Sequence, residues 1–311
     1  MKRVVFIAFT FMIINQSFAQ QLPLQSQYMV NKFYLNPAFA GMQEGLPIHL
    51  GVRRQWFGIK EAPVTQYVST NTAIADGFGI GMNIYNEATG PTRRTGVSLG
   101  AAYQLPLGGF GVVERRLSFG LNFMLNQHAL DKTKLETYLP DDPTIQAAYS
   151  NQLLPDASFG VVYDHEEKFF GSISIVNLLQ TRSDILNIPN EVRNNFVRNY
   201  YLMAGGIIPA GDDVQIRPSV LVRSIETLTT QVDVNVRAIY QDTYWFGLSY
   251  RLQDAIVAMA GINFENFGFG YSYDYTTSLV GTFSSGSHEL RITYRMPSII
   301  DGNKASKSLG F

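Results

Sequence analysis

The chain has 311 residues, 24 Lys+Arg against 25 Asp+Glu, only 16% charged residues and no cysteine. The missing cysteine excludes a disulfide framework, a thiolate zinc site and a cysteine nucleophile, and the near-zero net charge gives no electrostatic footprint for nucleic acid. A hydrophobic share of 46%, with 21 Phe and 17 Tyr, is enough for a large folded structure and argues against general disorder.

In chain order, Lys2 and Arg3 precede an apolar run from Val4 to Ile14, followed by the small residues Ser17 and Ala19. This predicts a signal peptide over 1–19, cut after Ala19, because the apolar run is shorter than the ~20 residues a spanning helix needs. The best later apolar stretch, Ala255 to Ile262, is also far too short for a spanning helix. A membrane location therefore has to be reached with strands. Residues 20–44 follow as a periplasmic or luminal segment. Within it, Gln25 to Gly41 is rich in aromatic and amide side chains, with Asn36-Pro37 as a turn initiator and Gly41 closing the segment. It is expected to pack into a barrel lumen or across its periplasmic mouth, the alternative being a first strand with a flexible approach.

From residue 45 to 296 the dominant pattern is alternation. Leu117, Phe119, Leu121, Phe123 and Leu125 oppose Ser118, Gly120, Asn122 and Asn126, and Val232, Val234 and Val236 oppose Asp233, Asn235 and Arg237. A period of two means β-strands with unlike faces. Strand centres are predicted near Gly51, Val68, Met82, Leu99, Leu121, Gly160, Ile173, Met203, Pro218, Val234, Phe246, Val257, Phe269 and Ile292. Alternation alone fits a soluble sandwich as well as a membrane barrel. The barrel is favoured by polar faces rich in Gly and Ser beside charged residues. It is also favoured by tyrosines toward strand ends on the apolar face, such as Tyr103, Tyr240, Tyr244, Tyr250, Tyr271 and Tyr275, as in interfacial girdles.

Connection lengths agree with that choice, except that Pro106 to Glu114 is long for a turn and Arg251 to Asp254 is short for an outer loop. Tight turns are expected at Asp76-Gly77, Asp164 to Lys168, Pro209 to Asp212, Gln241 to Thr243 and Asn263 to Asn266. Longer connections are expected at Asn86 to Thr92, Gln127 to Asp156, Gln180 to Asn199 and Thr276 to Ser287. The fold class is thus all-β: a 14-stranded antiparallel transmembrane barrel of the outer membrane, with short periplasmic turns and longer extracellular loops. Residues 297–311 form a polar periplasmic tail.

No enzyme motif emerges. The histidines His49, His128, His165 and His288 fall on separate elements and read as solvated strand-end or loop residues, with no metal-ligand spacing. No Gly-x-Ser-x-Gly elbow is present, Gly108-Gly109-Phe110-Gly111 lacks a following Lys-Ser/Thr, and Asp141-Asp142-Pro143 reads as a turn. No catalytic set, cofactor or metal is expected. In Arg53-Arg54-Gln55-Trp56 the two guanidinium groups cannot both face lipid, where a mid-membrane Arg costs ~2–4 kcal/mol. One must lie near an interface or snorkel, while the other points inward, to pair with barrel carboxylates such as Asp233, Asp274 or Glu289 or with the carboxylate of a bound partner.

Several of these residues also carry a family likeness. Ser26-Gln27-Tyr28-Met29 with Asn31, Tyr34-Leu35-Asn36-Pro37-Ala38 with Ala40-Gly41, Arg53-Arg54-Gln55-Trp56 and Ala62-Pro63 with Thr65-Gln66 form the specific N-terminal cluster. Ser272-Tyr273-Asp274 and Gly286-Ser287-His288-Glu289-Leu290 support it near the end. Together they resemble the PorP/SprF family of outer-membrane proteins associated with the type IX secretion and gliding machinery of Bacteroidota. Glu61 departs from the pattern, standing where the family's glycine is expected before Ala62-Pro63.

The resemblance implies a barrel without enzymatic activity. Its partners would be a secreted surface adhesin or other cargo carrying a C-terminal secretion domain, or periplasmic and lipoprotein components of the apparatus, in addition to outer-membrane lipid. The family-motif positions Gln27, Tyr28, Asn36, Pro37, Gly41, Arg53, Arg54, Gln55, Trp56 and Pro63 are its candidate structural or partner-binding residues. A porin-like channel or solute transporter is the alternative, which requires an open lumen rather than a blocked one.

Overall fold

The computed structural model describes residues 23–108, 115–135, 146, 148, 151–166, 168–183, 196–226 and 230–297. The expected signal peptide, nearly all of the expected C-terminal tail, Asp141-Asp142-Pro143 and much of the two longest loops lie outside the described residues.

Fourteen strands close into one antiparallel barrel. They are β1 (Leu46–Arg54), β2 (Val64–Ala75), β3 (Phe78–Thr89), β4 (Thr92–Pro106), β5 (Arg115–Leu130), β6 (Asn151–His165) and β7 (Phe169–Val176). Strand β8 (Asn199–Gly206) continues past a break at Ile207 as Ile208–Pro209. The remainder are β9 (Val214–Ile225), β10 (Thr230–Tyr240), β11 (Tyr244–Arg251), β12 (Ala255–Phe264), β13 (Phe267–Thr276) and β14 (Ser287–Met296). Each strand pairs with its sequence neighbours, and β1 pairs with β14 from Leu46↔Met296 to Arg54↔His288. No edge is left unpaired, which is what a sheet in hydrocarbon requires. All fourteen expected strand centres fall inside strands.

The alternating sequence separates outside from inside. On β5 the apolar set faces out, with Leu121 61% exposed, while Asn122 beside it is 6% exposed. The six tyrosines named above lie on the outer face. No helix among the described residues is long and apolar enough to cross a membrane.

Connections from odd to even strands define a loop rim, and those from even to odd strands a turn rim. The segment Asn86 to Thr92 is not a long loop. Strands β3 and β4 continue through it to Thr89↔Thr92, leaving only Gly90 and Pro91 as the turn. Cross-strand pairing of Glu87 with Arg94 and Asn86 with Thr95 carries the ladder past the polar residues that suggested a loop. His49 also differs from a solvated strand-end histidine: it is 1% exposed on the inner face, with Nδ1 2.8 Å from Thr293 Oγ1.

Residues 23–45 are folded inside this cylinder. Nearly all are buried, and Tyr28, Met29, Phe33, Leu35, Ala38, Phe39, Ala40 and Met42 form the centre of the largest apolar cluster with wall residues such as Phe170, Tyr201 and Met203. The core of the protein is therefore the leader packed against the barrel's inner wall.

Candidate functional site: the leader segment in the lumen

Two different fastenings hold the leader. The first lies near the loop rim, where the described chain begins. Ser26 Oγ donates to Asp274 and accepts from Arg53 Nη1 at 2.8 Å and from Arg251 Nη2 at 3.2 Å. One donor and two acceptor sites are all that a hydroxyl has, so this side chain is saturated. The backbone N–H groups of Ser26 and Gln27 donate to the two oxygens of Glu289, at 2.7 and 3.3 Å. Arg53 in turn pairs with Asp274 at 2.8 Å and Glu289 at 3.3 Å, and Arg251 pairs with Asp274, Asp233 and Asp254 at 3.1–3.3 Å.

Gln27 accepts from Arg291 Nε at 3.2 Å and donates to the Glu289 carbonyl, while the Tyr28 hydroxyl donates to Asp233. Arg53, Arg251, Asp233, Asp274 and Glu289 are tolerated this deep because each is paired and hydrogen-bonded. They come from β1, β10, β11, β13 and β14, so the leader's first residues tie together one side of the barrel.

The second fastening lies toward the turn rim and uses shape. Asn36 accepts from Ala38 N through Oδ1, capping the 3₁₀ turn Pro37–Phe39, whose proline at the first position leaves no N–H to satisfy. Its Nδ2 donates to the carbonyls of Val161 and Ile173. Wall side chains then meet the leader's carbonyls: Ser174 donates to Leu35, Ser118 to Ala38, and Gln104 to Ala40.

Close approach needs small residues, and the register supplies them in one row. Gly79 pairs with Ala102, Ala102 with Gly120, Gly120 with Gly160, and Gly160 with Ser174. A Cβ on Gly120 would sit 2.2 Å from Ala38 N, and one on Gly160 would sit 1.9 Å from Asn36 Oδ1. At the exit, Gly41 has φ +72°, and a Cβ there would lie 2.7 Å from Gly79 Cα. Only glycine meets both conditions.

The family-motif positions are thus divided. Gln27, Tyr28 and Arg53 meet in the ionic cluster, and Asn36, Pro37 and Gly41 occupy the small-residue row's end of the lumen. Arg54, Gln55, Trp56 and Pro63 lie at the loop rim. There the Arg54 guanidinium stacks 4.8 Å over Phe57, and Gln55 N donates to the Pro63 carbonyl. Trp56, with φ +45°, donates its N–H to Ser287 Oγ at 3.1 Å.

Arg251, Arg291, Ser118, Ser174 and the glycine row were not singled out in the sequence. Their only signal was placement on polar strand faces. Beside the leader, two cavities of about 20 and about 30 Å³ leave room for little more than single waters. Along the described leader, the lumen is occupied by the leader's own buried residues.

Among solved structures the chain is similar to the toluene transporter TbuX of Ralstonia pickettii, with 9% identity and TM-score 0.52, covering 88% of this chain and 94% of that one. The CymD monoaromatic hydrocarbon channel matches at 13% identity and TM-score 0.48, over 90% and 95% of the two chains. A Pseudomonas aeruginosa FadL homologue matches at 10% identity and TM-score 0.48, over 88% and 95%. At such identities the TbuX likeness is one of fold, that of an outer-membrane barrel. No curated protein matches the chain. The family described as "Type IX secretion system membrane protein PorP/SprF" matches residues 17–294, a span that takes in the leader, both of its fastenings and nearly all of the barrel, and the chain belongs to that family.

Proposed function

We propose that this protein is a non-enzymatic docking barrel of the type IX secretion or gliding machinery, which binds a secreted adhesin carrying a C-terminal secretion domain, or components of the apparatus. The observation that carries this reading is the filled lumen. A segment bonded to the wall at both ends obstructs solute flow, which favours work at the rims over a porin-like channel. In this reading the signal peptide is removed after Ala19, the loop rim faces outward, and residues 297–311 extend into the periplasm. The family-motif positions are structural: they seat the leader and brace the loop rim.

The rim has the chemistry of a contact surface. Phe57 and the β13–β14 loop bind each other through Phe57 N to Gly286 O at 2.6 Å and Ser285 N to Phe57 O at 2.7 Å. The same loop holds Leu279 and Phe283 at 88% and 79% exposure, more open than the lipid-facing residues of the strands. Exposed apolar side chains on a braced loop suit a protein partner. The β5–β6 and β7–β8 loops extend the candidate surface.

Purification from native cells in mild detergent tests this. A surface protein or apparatus component is expected to co-isolate with the wild-type barrel and to be lost from Leu279→Asp/Phe283→Asp while the barrel's melting temperature is unchanged. Repeated isolation of the barrel alone would count against the proposal.

A further inference from the structure

The leader brings a third cation to two others beside the larger cavity. Arg217 on β9 and Arg237 on β10 are directly paired across the ladder, both on the inner face. Like charges at paired positions repel. Lys32 of the leader reaches the same cavity, its Nζ 5.1 Å from the centroid of the Phe170 ring. Ser219 also lines the cavity, with its hydroxyl donating to Met29 Sδ.

Arg237 is the decisive residue. It is 3% exposed, its guanidinium lies 5.5 Å over the Trp245 ring, and its Nε and Nη1 are buried without a hydrogen-bond partner. A buried guanidinium with two idle donors is costly unless an anion meets it. The cavity, about 30 Å³, exceeds the space one water needs and has room for a halide.

We infer that the cavity between Lys32, Arg217 and Arg237 is an anion site that takes a halide-sized inorganic ion. Bound there, the ion links the leader to β9 and β10 and offsets the repulsion that docking creates, so leader seating becomes anion-dependent. This fastening would serve a side of the lumen that neither the ionic cluster nor the glycine row reaches.

Bromide is the probe. Diffraction from the full barrel crystallised with sodium bromide is expected to show an anomalous peak within about 3.5 Å of the Arg237 donors, a charge-assisted contact distance for a large anion. In detergent, the wild type is expected to melt several degrees higher in sodium chloride than in sodium gluconate at equal ionic strength, and Arg237→Gln is expected to show no such difference. An empty cavity in bromide together with equal melting in both salts would overturn the assignment. A chloride effect that survives unchanged in Arg237→Gln would also overturn it, because the ion would then act elsewhere. The diffraction arm stands even if the variant fails to fold.

Discussion

The two ends of the leader are held by opposite means. Toward the loop rim, Ser26 and Gln27 are clasped by side-chain charges from Arg53, Arg251, Asp274 and Glu289. Toward the turn rim, Asn36 to Gly41 lies in a row of glycines and small residues, bonded by neutral side chains to backbone carbonyls. Charge secures the end where the described chain begins, and steric fit secures the stretch where backbone passes close to wall. The loss of a charge should therefore act by stranding its partners, whereas an added methyl group should act by displacing the leader.

The largest effect is expected from Arg53→Met. It leaves Glu289 without its ion pair and Asp274 with Arg251 alone, and breaking a buried pair from one side costs about 3–5 kcal/mol. Melting of the purified barrel should fall accordingly, and proteolysis should open residues 23–28 before residues 36–41. Next comes Gly120→Val, whose Cβ would collide with backbone rather than a movable side-chain tip. Overpacking of this kind costs about 1–3 kcal/mol, and here hydrogen exchange should reveal loss of protection first at Ala38 to Ala40. Asn36→Ala removes one cap and two bonds to strand carbonyls, and a cap is typically worth about 1 kcal/mol. If Arg53→Met and Gly120→Val instead expose the same residues in the same order, the division into two fastenings is wrong.

Titration sharpens the comparison further. Burial, then the charges of Arg217 and Arg237, hold Lys32 down to about 7 despite the opposing pull of Asp164. An undocked lysine titrates near 10.5, so between those values the docked leader binds fewer protons than the free one. Seating should thus strengthen as pH rises from 7 toward 10 and be flat below 7. The slope, measured by melting in gluconate, should vanish in Lys32→Met.

The smallest effect belongs to Glu61, at φ +60°, where the family resemblance leads one to expect glycine. Its carbonyl accepts from Gly90 N, and its carboxylate lies 4.0 Å from Lys134 Nζ. Left-handed backbone costs a non-glycine residue about 1–2 kcal/mol, and an exposed pair returns about 0–1. Glu61→Gly should therefore raise the melting temperature slightly.

The barrel itself was legible in the sequence because inside and outside differ in polarity at every second residue, as on β5 and β10. That one of Arg53 and Arg54 turns inward followed from the same logic, since both cannot face lipid, but which of the two does so did not. The glycine row was not legible. Gly79, Gly120 and Gly160 suit a wet lumen as well as a packed one, and only the register puts them side by side. Lys32, Arg217 and Arg237 meet only because the leader folds back inside the cylinder, a contact between distant segments that no local period encodes. Asn86 to Thr92 misled because its polar residues face the wet end of a long hairpin, where strands continue without an apolar side.

Single-channel recording in planar bilayers tests most directly whether the leader closes the lumen. The full chain should give no steady large conductance. A stable open channel of porin size from that same protein would contradict the filled barrel and, with it, the docking role.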